Sequence, residues 1–210
     1  EARRKAEAIV EKEEGTVRRL SGWPDLVVTA LAVTMSLFHL YSAWAIVPTQ
    51  ILRAVHVGFV FALVFLVFPA ARRFRDRIRW YDVALALLGI ATIAHILVDF
   101  DDFIERAVTP NHWDLFLGVA LVLLVLEAVR RTSGLVLTAV VAAFLVYAFV
   151  GPWLPSPWTH RGYDVERLVG QLYMTLEGIF GSPIDVSATF IILFTIYGAV
   201  LQYSGAGEFF

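Results

Sequence analysis

ILRAVHVGFVFALVFLVFPAA (51–71) runs directly into RRFRDRIR (72–79). The first piece carries one charge, Arg53, and the second carries five arginines, Arg72, Arg73, Arg75, Arg77 and Arg79. Crossing a bilayer core takes about 20 apolar residues. No water is present there, so the backbone must bond to itself and the segment must be helical. An arginine cluster just past such a segment marks the side to which the chain emerges. This pairing, an apolar block and then a basic turn, sets the expectation for the rest of the chain.

Working outward, six blocks have span length: 25–45, 51–71, 81–100, 113–129, 134–151 and 187–203. Hydrophobic residues make up 59% and charged residues 17%, against roughly 45–50% and about 25% in soluble domains. The blocks lack the alternation of a β-barrel. The expected fold is all-α: a polytopic integral membrane protein with six transmembrane helices and one amphipathic interfacial helix. Net charge is −2, which gives no reason to expect nucleic acid, and cysteine is absent. Disulfides, thiolate metal sites and cysteine nucleophiles are therefore excluded.

Basic residues orient the spans. Arg3, Arg4, Lys5, Lys12, Arg18 and Arg19 precede the first, the five arginines of 72–79 follow the second, and Arg130 and Arg131 follow the fourth. Thirteen of the 17 basic residues then share one side; Arg53, Arg106, Arg161 and Arg167 are on the other. The N-terminus is expected in the cytoplasm, and Asp99, Asp101, Asp102 and Glu105 outside with 152–186. Trp23, Trp44, Trp80, Trp113, Trp153 and Trp158 fall at span ends or in loops, where indole rings favour the interface. All eight prolines also lie at span ends or in loops. No span carries an interruption beyond isolated glycines such as Gly58, Gly89, Gly118 and Gly198. Transporter ion and substrate sites use broken helices, so this stretch is expected to be scaffold.

Segment 164–180 differs. Val165, Leu168, Val169, Leu172, Tyr173, Leu176, Ile179 and Phe180 form one apolar stripe, with Asp164, Glu166, Arg167, Gln171 and Glu177 on other faces. A helix along the outer interface is expected, with Pro183 opening the next span.

His39, His56 and His95 are the polar positions of interest within spans, at similar depth on three helices. Interhelical hydrogen bonding or headgroup placement is the favoured role; a proton relay, or a metal or haem site, is the other. Asp82 and Glu127, near Arg79, Arg130 and Arg131, are expected to form solvated ion pairs. Asp99, Asp101 and Asp102 are a weak cation-site pattern. Ala139 and Ala143 make a small-xxx-small pair that hints at close packing. No phosphate-binding loop, dinucleotide fingerprint, catalytic triad spacing or zinc-protease motif occurs, so no catalytic, cofactor-binding or metal residue is assigned.

Three motifs close the chain: Glu177-Gly178-Ile179-Phe180-Gly181 with Pro183, Val186-Ser187-Ala188-Thr189-Phe190, and Ser204-Gly205-Ala206-Gly207-Glu208-Phe209-Phe210. This stretch resembles the large-subunit start of fused permeases in tripartite ATP-independent periplasmic (TRAP) transporters, nearest to the TAXI-type branch. Upstream the resemblance is one of layout. It implies a cytoplasmic segment 1–24, a four-helix small-subunit-like domain 25–131, and the start of a large-subunit-like domain 132–210. The chain is expected to be an N-terminal fragment of a longer permease in a bacterial or archaeal inner membrane. The resemblance further implies a secondary transporter, not an enzyme, that imports a small organic carboxylate with Na+ or H+ as coupling ion. Its partners would be a TAXI-type periplasmic solute-binding protein and membrane lipid. No ligand-binding residue in 1–210 is implied. Two other functions fit the residues: a haem-binding membrane anchor of an oxidoreductase, and a structural membrane subunit.

Overall fold

The computed structural model describes residues 16–206; positions 1–15 and 207–210 lie outside the described residues, and with them Arg3, Arg4, Lys5, Lys12 and the Glu208-Phe209-Phe210 motif. Among the described residues there is no strand. Six helices are long and apolar enough to cross a membrane: α1 (Trp23–Trp44), α2 (Thr49–Val67), α3 (Trp80–Val98), α5 (His112–Thr132), α6 (Leu135–Val150, which a 3-10 turn extends over Gly151–Trp153) and α8 (Ser182–Tyr203). Two short helices lie between them, α4 (Phe100–Glu105) and α7 (Val165–Tyr173). Each expected span is found, with ends shifted by a few residues.

Capping chemistry sets several of these ends. Asn111 Oδ1 accepts the Asp114 N–H at 2.9 Å while Asp114 Oδ2 accepts the Asn111 N–H at 2.9 Å, a reciprocal box that starts α5. Asp164 Oδ1 accepts the Arg167 N–H at 2.7 Å and starts α7. Pro183 stands in the first turn of α8, where its missing N–H costs nothing. Gly134 takes φ +83°, a left-handed conformation that lets α5 turn into α6 within a few residues.

The core is built on α2. Its buried face, Ala54, Val57, Phe61 and Phe65, packs against Ala86, Ile93 and Ile96 of α3 and Leu121 and Leu124 of α5. Gly89 permits the α2–α3 approach, because a Cβ there would come within 2.8 Å of Phe61 Cβ. α1 covers another side of α2. Outward-facing apolar residues such as Leu26, Leu37, Leu87, Leu123 and Phe144 are what a lipid-facing surface requires. All six tryptophans are exposed at helix ends or in loops.

The chain after α5 brackets this bundle. α6 packs on α5, whereas α8 crosses to the other side and packs on α1 and α2. Residues 152–181 bridge the two over one end of the bundle. Four expectations change here. The helix in 164–180 stops at Tyr173, and 174–181 is bent, with Gly178 lying against the Gln171–Leu172 backbone. Its stripe is also sunk into protein: Val169 and Tyr173 close on Gly118 of α5, and Met174 and Phe180 are buried with them. Ala139 and Ala143 face outward, so the close packing they hinted at is not found among the described residues. Finally, α8 is interrupted by a π turn, Ser187–Ile191, that neither glycine nor proline announces.

Candidate functional site

Polar groups gather at the two ends of the bundle. The basic end carries the first residues of α1 and α3, the last of α2 and α5, and the arginines of 72–79. The acidic end carries Asp99, Asp101, Asp102, Asp164 and Glu166.

At the basic end the last carbonyls of α2 need partners, because a helix terminus leaves about four unpaired and hydrocarbon supplies none. Arg18 reaches them from ahead of α1. Its N–H donates to Val67 O at 2.9 Å, and its Nη1 donates to Phe65 O at 3.2 Å and Leu66 O at 2.9 Å. Arg131 Nη1 donates to Phe68 O at 3.0 Å, and its guanidinium stacks 5.1 Å above the Phe65 ring. Two cations at a helix C-terminus also suit its partial negative charge. Asp82, fully buried, balances them: Arg18 Nη2 donates to its Oδ2, Arg131 Nη1 donates to its Oδ1 at 2.6 Å, and the Arg79 N–H caps it at 3.0 Å. Glu127 adds bonds from Arg130 and Arg131 at 2.7 Å each, and Arg130 reaches Ala70 O at 3.2 Å. The expectation of solvated pairs is therefore corrected for Asp82. It sits between helices, three residues into α3, where the fold leaves no water to solvate it. Arg18 was missed as well, because in sequence it is one charge of a basic tail.

The acidic end separates the three histidines. His95 Nε2 donates to Asp114 Oδ1 at 2.8 Å, and Arg106 Nε donates to Asp114 Oδ2 at 3.2 Å. This carboxylate holds the Arg106 guanidinium above its ordinary value. Burial pushes the nearby Tyr173 phenol up as well, with Asp114 adding to the effect, and its hydroxyl donates to Thr92 O at 2.6 Å. Together these bonds lock α3, α5 and α7.

His39 and His56 come together instead, Nε2 to Nδ1 at 3.0 Å. His39 Nδ1 donates to Met35 O at 2.7 Å, and His56 Nε2 lies 3.1 Å from Ser187 Oγ at the start of the π turn. One turn away, Arg53 donates to Asp185 Oδ1 at 2.9 Å and to Phe180 O at 2.8 Å. Histidine and serine thus join α1, α2 and α8. Among the described residues no three His, Asp or Glu are grouped to hold a metal ion, Asp99, Asp101 and Asp102 included. A groove of about 700 Å³ between α3 and α5 is lined by Leu85, Leu88, Leu115, Phe116, Val119, Ala120, Leu123 and Leu124, with Glu127 as its one charge. It lacks the converging polar groups a small solute needs.

Sequence depth alone found the histidines but could not divide them. Ser187 and Asp114 were missed; each lies near a span end at the depth of the histidines, and that shared depth was the available signal.

No curated protein matches the chain. No solved structure matches it. Residues 120–210, under half of the chain, match the family model described as Tripartite ATP-independent periplasmic transporter, DctM component, a match that begins inside α5 and takes in α6, α7 and α8.

Proposed function

We propose that the protein is the membrane permease component of a TRAP-type secondary transporter, in which 25–131 form a small-subunit-like domain fused to the large-subunit-like residues 132–210. The match of 120–210 to the DctM component carries this reading, and the six membrane-length helices support it. The solute is a small organic carboxylate, delivered by a TAXI-type periplasmic binding protein and driven in by Na+ or H+. Residues 1–210 serve mainly as scaffold and docking surface. In support, the buried polar groups at both ends are engaged in holding helices together. The protein lies in a bacterial or archaeal inner membrane with its N-terminus in the cytoplasm; the exposed Arg73, Arg77 and Arg79 at one end and Asp101, Asp102 and Glu166 at the other favour that orientation.

The test is uptake into proteoliposomes by the full-length protein, with and without the binding protein and an imposed Na+ or H+ gradient. Uptake that needs both is expected, and residues 1–210 alone should transport nothing. Gradient-independent uptake, or uptake by 1–210, overturns the proposal. Orientation is checked separately: with no native cysteine in 1–210, D102C should react with an impermeant reagent from outside, and R75C should not.

A further inference from the structure

We propose that His39, His56 and Ser187 form a one-proton store that switches the hydrogen bonding of α8 at its π turn. The geometry fixes where the hydrogens are. A carbonyl oxygen only accepts, so His39 Nδ1, 2.7 Å from Met35 O, carries a hydrogen. In the neutral ring Nε2 is then bare. His56 Nδ1, 3.0 Å from that Nε2, must donate to it. This leaves His56 Nε2 bare, and Ser187 Oγ at 3.1 Å must donate in turn. Both neutral rings are Nδ1–H tautomers, and every bond runs one way, from Ser187 to Met35.

One proton reverses the bond between Ser187 and His56. It comes from water at the acidic end by way of the half-buried Ser187, and an N–H bond forms at His56 Nε2. The charge stays on His56, or the His56 Nδ1–H bond breaks as one forms at His39 Nε2 and the charge moves to His39. In both states His56 Nε2–H points at Ser187, whose oxygen has turned from donor to acceptor. A second proton would set two N–H groups head to head across 3.0 Å, in rings that are 0% and 3% exposed, so the pair takes one. Met35 O cannot pass a proton on. The array is a store with one mouth, not a path across the membrane.

The freed Ser187 O–H has a place to go. Thr189 and Thr195 of the same helix donate to the carbonyls four residues back, Asp185 O at 2.7 Å and Ile191 O at 2.8 Å. For Ser187 that carbonyl is Pro183 O, which already accepts the Ser187 N–H. Such back-bonding bends helices, and Ser187 opens the turn where the ladder is already displaced.

The charged surroundings are few. α2 contributes Arg53 and α8 contributes Asp185, paired to each other. α1 has only Asp25, in its first turn at the far end. α3 brings His95, held by Asp114 of α5 beside Arg106, and Asp82 at the basic end with Glu127, Arg130 and Arg131 of α5. The store stands independently of the proposed transport activity.

The test uses full-length protein in lipid nanodiscs, labelled with 15N-histidine and observed by solid-state NMR from about pH 8 to about pH 5, a range that brackets ordinary imidazole titration. H39Q and H56Q assign the signals. At the alkaline end both rings should be Nδ1–H tautomers, and the pair should take up one proton on acidification. Amide exchange across 188–192 should change with it by about fivefold or more, a common size for coupling between sites. S187A keeps the tautomers and should lose the exchange response, which preserves the test if a histidine variant does not fold. An Nε2–H tautomer of His56 at the alkaline end, uptake of two protons or of none, or an exchange response that persists in S187A overturns the proposal.

Discussion

At the basic end of α2, Arg18 and Arg131 close around Asp82; at its acidic end His56 meets His39 and Ser187. Both junctions tie α2 to neighbouring helices. They differ in what their atoms can become. Guanidinium only donates and carboxylate only accepts, so the basic end has one hydrogen-bond arrangement. Imidazole and hydroxyl exchange these roles, so the acidic end has two. The first junction is a fixed clamp and the second is adjustable, and the adjustable one touches the segment that resembles the DctM component.

Breaking the clamp should have the largest effect. D82A leaves Arg18 and Arg131 buried without their shared counter-charge, and loss of one partner of a buried pair costs about 3–5 kcal/mol. The purified variant should melt far below the wild type in nanodiscs or fail to assemble; an unchanged melting temperature would refute the clamp. Next comes the seam between α5 and α7. G118L drives a side chain into Val169 and Tyr173, at about 1–3 kcal/mol for overpacking, and hydrogen exchange should rise over 165–174 while the basic end stays protected.

The sequence made the spans legible because hydrocarbon imposes a length and a composition on each. Asp82 and Arg18 were not legible as a pair. They are 64 positions apart, and only packing brings them together. The end of α7 was misplaced because an apolar stripe at helical spacing continues through Phe180 even though the chain folds back at Gly178. The histidines were seen, but not which of them meet, since depth does not report azimuth around a helix.

Y173F sharpens the comparison from the other side. It removes one neutral bond, to Thr92 O, and should cost about 0.5–1.5 kcal/mol, a mild loss by thermal melting beside that of D82A. Least of all, A143L on the exposed face of α6 should stay within about 0.5 kcal/mol of wild type. A large loss there would mean that this face is covered in the native assembly, which cross-linking from position 143 would then detect.

The clamp also has a history in time. Arg18 emerges from the ribosome before the α2 carbonyls it will serve, but Arg131, which completes the ring at Phe68 O, is made 63 residues after it. At synthesis rates of about 5–20 residues per second, that gap lasts about 3–13 seconds. For the part of that interval after α3 is made, α2 and α3 sit together with one guanidinium where two belong. A nascent chain stalled just short of Arg131 should therefore expose the α2–α3 connection to protease, and a chain stalled well past it should not.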